Sequence, residues 1–161
     1  MKAIRIAVSL LFLLATTAAL AGNAQQSFDK LKTLTGSWEG KGPDGKPFEV
    51  SYRVSSNGSA LLSEIKSEED MISVIHLDGD RLPMTHYCGA GNQPRMQATV
   101  SPDGKTFAFD FLDATNLASP QAGHMHRAVF TIVDADHHTE EWTWTKDGKE
   151  NKEVMALQRK K

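Results

Sequence analysis

From Ser37 onward the chain is a series of ten short runs, rich in β-branched and aromatic residues and separated by tight-turn chemistry. The runs are Ser37–Gly42, Phe48–Ser56, Ala60–Ser67, Met71–Asp78, Arg81–Cys88, Arg95–Ser101, Thr106–Ala114, His124–Asp134, His138–Lys146 and Lys149–Gln158. Phe48, Val50, Tyr52 and Val54 alternate with Glu49, Ser51, Arg53 and Ser55; Phe107, Phe109 and Phe111 alternate in the same way, as do Trp142 and Trp144. A period of two marks strands with one buried face. Pro43-Asp44-Gly45-Lys46, Pro102-Asp103-Gly104-Lys105 and Lys146-Asp147-Gly148-Lys149 read as hairpin turns, and Asn57-Gly58 and Asp78-Gly79-Asp80 as two more. This predicts an all-β, antiparallel up-and-down barrel of ten strands, because closing such a sheet removes its exposed edges. A two-layer antiparallel sandwich is the alternative.

What precedes the strands is different. Lys2 and Arg5 form a basic start, Ile6 to Ala15 is an apolar run too short to span a bilayer, and small residues follow. This is the pattern of a signal peptide over residues 1–24, with cleavage after Ala21 or Ala24. Asn23 stands where a lipoprotein would carry cysteine, so no stable membrane anchor is expected after cleavage. Residues 25–161 remain as a single domain, periplasmic or secreted. Within it, Ser27–Thr35 is the helix candidate: Phe28, Leu31 and Leu34 recur at helical spacing, Ser27 caps and Gly36 terminates. Cys88 is the only cysteine, so an exported fold of this chain rests on packing without an internal disulfide. Cleavage removes two of the 18 basic residues and none of the 20 acidic ones. A weakly acidic domain with no basic block gives no reason to expect nucleic acid as a partner.

In a meander, successive turns alternate between the two ends of the barrel. One end collects 43–47, 68–70, 88–95, 114–124 and 146–149. The other collects 57–59, 79–80, 101–105, 134–137 and the helix. The two longest connections, Gly89–Pro94 and Thr115–Gly123, fall at the first end, which reads as a ligand mouth. The second reads as a closed floor. Of the six histidines, His86, His124 and His126 fall near the mouth. His86 shares a face with Leu82, Met84 and Cys88, which points it inward. His124 and His126 lie two apart and face the same side. Ala128, Phe130 and Ile132 share that side and Val129 and Val133 the other, so which is inward stays open. Three readings compete: a histidine metal site, imidazoles as polar anchors of a ligand pocket, and structural or solvated histidines. His138 and Glu140 are no partners for the mouth pair, lying roughly 20 Å away at about 3.3 Å per residue. His137-His138 beside Glu140-Glu141 reads as a solvated turn.

No nucleophile elbow, phosphate loop, CxxC or HExxH is present, and no catalytic residue is singled out. Arg95, Asp113 and Asn116 near the mouth suit either a polar ligand group or ordinary turns. Cys88 suits either a reactive thiol or an inert buried one. Trp142 and Trp144 suit either ligand stacking or core packing.

The segment Gly36-Ser37-Trp38-Glu39-Gly40-Lys41-Gly42 has GxWxGxG spacing. The first glycine permits a sharp turn into the strand, and the tryptophan is large enough to close one barrel end. Phe28 to Gly42 resembles the start of the nitrobindin-like and lipocalin-like bacterial barrels. The mature chain, including Met84-Thr85-His86-Tyr87-Cys88 and Asn92-Gln93-Pro94-Arg95-Met96, is similar to exported bacterial proteins grouped as a domain of unknown function. The resemblance implies a ten-stranded calycin-like (lipocalin-like) barrel with a short N-terminal helix. Nitrobindins hold haem through a histidine in the last strand. Here Lys149–Lys161 contains none, and Glu153 and Val154 stand at that place, so His86 or His126 would have to substitute. The resemblance carries over the fold and the cavity, not the haem.

The expected function is binding of a small apolar or amphipathic ligand in the barrel interior, with His86, Arg95, His124, His126 and Trp142 as ligand-binding candidates and no metal or cofactor assigned. The rivals are a haem- or metal-dependent enzyme using the mouth histidines, and a solid barrel acting as a surface interaction module.

Overall fold

The computed structural model describes residues 24–42, 45–66 and 69–161; of the expected signal peptide over residues 1–24, all but Ala24 lies outside them. Residues 24–32 form helix α1. Ten strands follow: β1 Gly36–Lys41, β2 Pro47–Ser55, β3 Ala60–Lys66, β4 Met71–His76, β5 Pro83–Tyr87, β6 Gln93–Val100, β7 Thr106–Thr115, β8 His124–Ile132, β9 His137–Lys146 and β10 Lys149–Arg159. Each pairs antiparallel with its sequence neighbours, and β1 pairs with β10 to close the barrel. The chain is thus the expected up-and-down, calycin-like barrel with a short helix.

The turns explain the tightness of the meander. Asp147 (φ 51°) and Gly148 (φ 71°) both take left-handed backbone, the conformation of a two-residue hairpin turn whose twist matches the strands it joins. The connection between β4 and β5 is longer than expected: the strands stop at His76 and restart at Pro83, leaving one isolated bridge, Asp78 to Arg81. The helix also departs from expectation. Ser27 does not cap it, because Ala24 is already helical and buried. Ala24, Phe28 and Leu31 form one stripe at spacings of four and three, so the apolar face begins a turn earlier than Ser27. Gly36 is not the helix terminus either; the helix ends at residue 32 and a turn at 33–34 leads into β1.

That stripe seals the floor. Phe28, Leu31 and Leu34 pack into the same core as Trp38, which is fully buried. The Trp38 indole N–H donates to the Leu34 carbonyl at 2.7 Å. Arg159, opposite Trp38 on β10, lays its guanidinium 4.1 Å above the indole ring. It also donates to the carbonyls of Thr35 and Thr33, each at 2.8 Å, and of Ala135 at 2.9 Å. These are backbone acceptors that no strand partner reaches, and a planar five-donor fork suits the task. Gly36 sits at φ 125°, and a Cβ there would meet the Arg159 guanidinium at 2.9 Å. Gly40 lets β1 and β10 approach closely: a Cβ there would lie 2.6 Å from the Ala156 carbonyl of β10.

Candidate functional site

Above the floor the inner wall turns polar. Tyr52, Ser63, Ser73 and His86 lie on four consecutive strands in direct register: Tyr52 opposite Ser63, Ser63 opposite Ser73, Ser73 opposite His86. All four are buried. A second set comes from β9, where His138, Glu140 and Trp142 recur at period two and are also buried. The two sets meet. The Tyr52 hydroxyl donates to Glu140 Oε1, and the Trp142 indole N–H donates to Glu140 Oε2 at 2.9 Å. His138 Nε2 lies 3.3 Å from Glu140 Oε1, and its ring stands edge-on to Trp38 at 4.2 Å. The His86 ring lies 4.8 Å from that of Trp142, and His86 Nδ1 is 2.9 Å from Ser73 Oγ.

This arrangement keeps a fully buried carboxylate inside the barrel by surrounding it with donors, the condition a buried acid requires. Burial first, and the adjoining Glu140 carboxylate second, push the Tyr52 phenol well above its ordinary range, so it stays a donor. Burial pulls His86 down to about 4, against the opposing attraction of Glu140, so its imidazole is neutral at physiological pH. Among the described residues, His86 Nε2 and His138 Nδ1 are buried without a hydrogen-bond partner.

A cavity of about 970 Å³ opens from this wall toward the end carrying Gly42, Lys46, Lys66 and Met71. Its inner walls are Phe48, Ile65, Met71, Met125, Trp142 and Met155, with His86 among them. Lys46, Lys66, Glu69 and Glu153 line it as well, all exposed. The opening therefore lies at the end where the connections β1–β2 and β3–β4 fall. The long loops do not line it. Asn92 Nδ2 donates to the Gly123 carbonyl at 2.9 Å and Asn116 Nδ2 to the Gly91 carbonyl at 2.6 Å. The two longest connections are thus tied to each other, and the opening lies beside the short turns of the opposite wall.

Of the five candidate ligand-binding residues, His86 and Trp142 stand together on the cavity wall. Arg95 is outside its lining, paired on the surface with Asp113 at 2.7 Å. His124 and His126 gather around Phe111, with ring centroids 4.6 and 5.3 Å from it. They occupy the point where β7 and β8 part, since the ladder between these strands ends at Asp110 and Arg127. A register shift between Met125 and Arg127 puts an extra residue on β8, and Met125, not either histidine, becomes the cavity wall. Among the described residues no three of histidine, cysteine, aspartate and glutamate converge as a metal site. Cys88 is half-buried, and burial pushes its thiol up.

His137 and His138 separate. His137 is exposed against Asp134, as a solvated turn requires, but His138 and Glu140 are in the core. The reason is strand alternation: 138, 140 and 142 share one face, and Trp142 fixes that face as the inner one. The same signal extends to Tyr52 through Phe48 and Val50, and to Ser63 through Leu61 and Ile65. Haem in the nitrobindin manner would need a histidine from the last strand. That strand presents Glu153 and Met155 to the cavity, and His86 is 1% exposed beside the Trp142 indole. These residues do not fit that mode of binding. No known family model matches the chain, and no curated protein is significantly similar to it.

Proposed function

We propose that this protein is an exported, soluble barrel, periplasmic or secreted, that binds a small apolar or amphipathic molecule in its interior. The observation that carries the reading is the open cavity, walled by Phe48, Ile65, Met71, Met125 and Met155 around the His86–Trp142 pair. Its volume of about 970 Å³ falls at the upper end of the 300–1,000 Å³ typical of ligand sites. Apolar walls with few polar groups favour burial of a hydrophobic body at about 25 cal/mol per Å2. The resemblance to lipocalin-like barrels and the signal-peptide pattern of the first 24 residues support the same reading.

The test is titration with the neutral apolar dye N-phenyl-1-naphthylamine. Saturable one-to-one fluorescence enhancement is expected, and Met71→Trp, which fills the cavity wall, weakens it at least tenfold. A native mass spectrum of protein taken from the producing cells then identifies any resident molecule by its mass. No enhancement, or enhancement indifferent to Met71→Trp in a folded variant, overturns the reading.

A further inference from the structure

His86 is the polar group on the cavity wall whose chemistry the barrel leaves unfinished. It is 1% exposed, its Nδ1 is engaged by Ser73 Oγ at 2.9 Å, and its Nε2 is buried without a partner among the described residues. The tautomer follows from counting protons. Ser73 is 2% exposed, and among the described residues its hydroxyl has one hydrogen-bond partner, His86 Nδ1. If Nδ1 carried the ring proton and donated to Ser73, both the serine proton and the Nε2 lone pair would be buried and unused. If the serine donates to Nδ1, one group alone is left over, an Nε2–H. Buried polar groups are rarely left unpaired without reason, and the second arrangement leaves fewer.

We infer that the His86 Nε2–H is the anchor for a neutral oxygen acceptor, a carbonyl, ester or ether, at the inner end of an otherwise apolar ligand. This rests on the cavity being a ligand site. Three further observations narrow the chemistry to a neutral acceptor. The neighbouring Trp142 N–H is already given to Glu140, so it has nothing to offer a ligand. The imidazole is neutral, because burial holds it near 4, so it brings no positive charge to hold an anion. The fully buried Glu140 carboxylate behind Trp142 repels one, and an anion brought there loses its water without compensation. A hydrocarbon, at the other extreme, leaves the Nε2–H unpaired.

The experiment is competition against bound N-phenyl-1-naphthylamine by three molecules of equal chain length: 2-undecanone, undecane and undecanoate at pH 7.5. The ketone is expected to displace the dye about tenfold better than the alkane and better than the carboxylate. His86→Phe is expected to abolish the preference for ketone over alkane while both still compete, and His86→Gln, whose amide reaches a similar position, to restore part of it. Independently, the imidazole 15N spectrum of the free protein is expected to show the Nε2–H tautomer for His86. A ketone no better than undecane, a preference that survives His86→Phe, a carboxylate that binds best, or an Nδ1–H tautomer each overturns the inference. If neither dye nor alkane binds, the cavity reading itself falls and takes this one with it; if they bind without preferring the ketone, only this one falls.

Discussion

The two ends of the barrel are built from similar residues and solve opposite problems. At the floor, Trp38 and Arg159 stack on each other and donate to the carbonyls of Leu34, Thr33 and Thr35, which follow α1, and of Ala135. Phe28, Leu31 and Leu34 then fill the remaining space. Among the described residues His138 Nδ1, beside Trp38, is the exception at this end; toward the mouth, His86, His124 and His126 each keep a buried polar atom without a partner, and a cavity of about 970 Å³ stands open. A stable closure completes its hydrogen bonds internally, because an unpaired buried group costs about 1–3 kcal/mol. On the proposed ligand-binding reading, the cavity wall leaves His86 Nε2 for another molecule. The contrast separates a filled end, closed by α1 and Trp38, from an end with an open cavity.

The sharpest way to break that contrast is at the floor. Trp38→Ala removes a fully buried indole that no neighbour can replace, and an expected loss of about 3–5 kcal/mol should appear in urea unfolding. A loss below about 1 kcal/mol would mean that the floor is not the structural end.

Acid should act next, through His86. Its pKa is about 4 folded and 6.5 as the ordinary value, so between these the unfolded chain binds more protons. Stability contributed by the neutral ring is then complete above pH 6.5 and drains as pH falls toward 4, by about 2–3 kcal/mol at 1.36 kcal/mol per unit. The comparison is wild type against His86→Gln in urea titrations at pH 7.5 and pH 4; equal acid sensitivity would show the imidazole to be less secluded than its burial implies.

Tyr52→Phe is expected to cost about 1–3 kcal/mol, because it withdraws one donor from the buried Glu140 carboxylate while keeping the ring. Tyr52→Phe, Glu140→Gln and the double variant, measured as a cycle, would show whether the two act together; additive effects would remove the coupling. The smallest effect belongs to Arg95→Ala. Its partner Asp113 is 54% exposed and Arg95 itself 52%, so the pair is worth about 0–1 kcal/mol and dye binding should not change. A marked loss of binding would move the ligand site to the surface beside the long loops.

Much of this was legible in the residues themselves. Alternation placed Tyr52, His86 and the tryptophans on strands, and turn chemistry placed the strands end to end. The sharpest misreading was local. His138 and Glu140 look solvated when read beside Asp134 and His137, yet they belong to the face that Trp142 defines. That was available from period two alone. The placing of Met125 instead of His126 on the wall was not, because a single extra residue on β8 exchanges faces and leaves no mark in the composition.

The sequence by itself determined the meander, the two ends and the identity of the floor tryptophan, because periodicity, turns and short connections are local properties of a chain. The tertiary structure alone decided that four strands bring Tyr52, Ser63, Ser73 and His86 into one row, and that β9 closes this row through Glu140 and Trp142. It also decided that the long loops bind each other and leave the opening to the opposite wall. These depend on register and curvature between residues as far apart as Tyr52 and Glu140. The free energy that fixes them is paid out only when the barrel closes, and no window of sequence contains both partners.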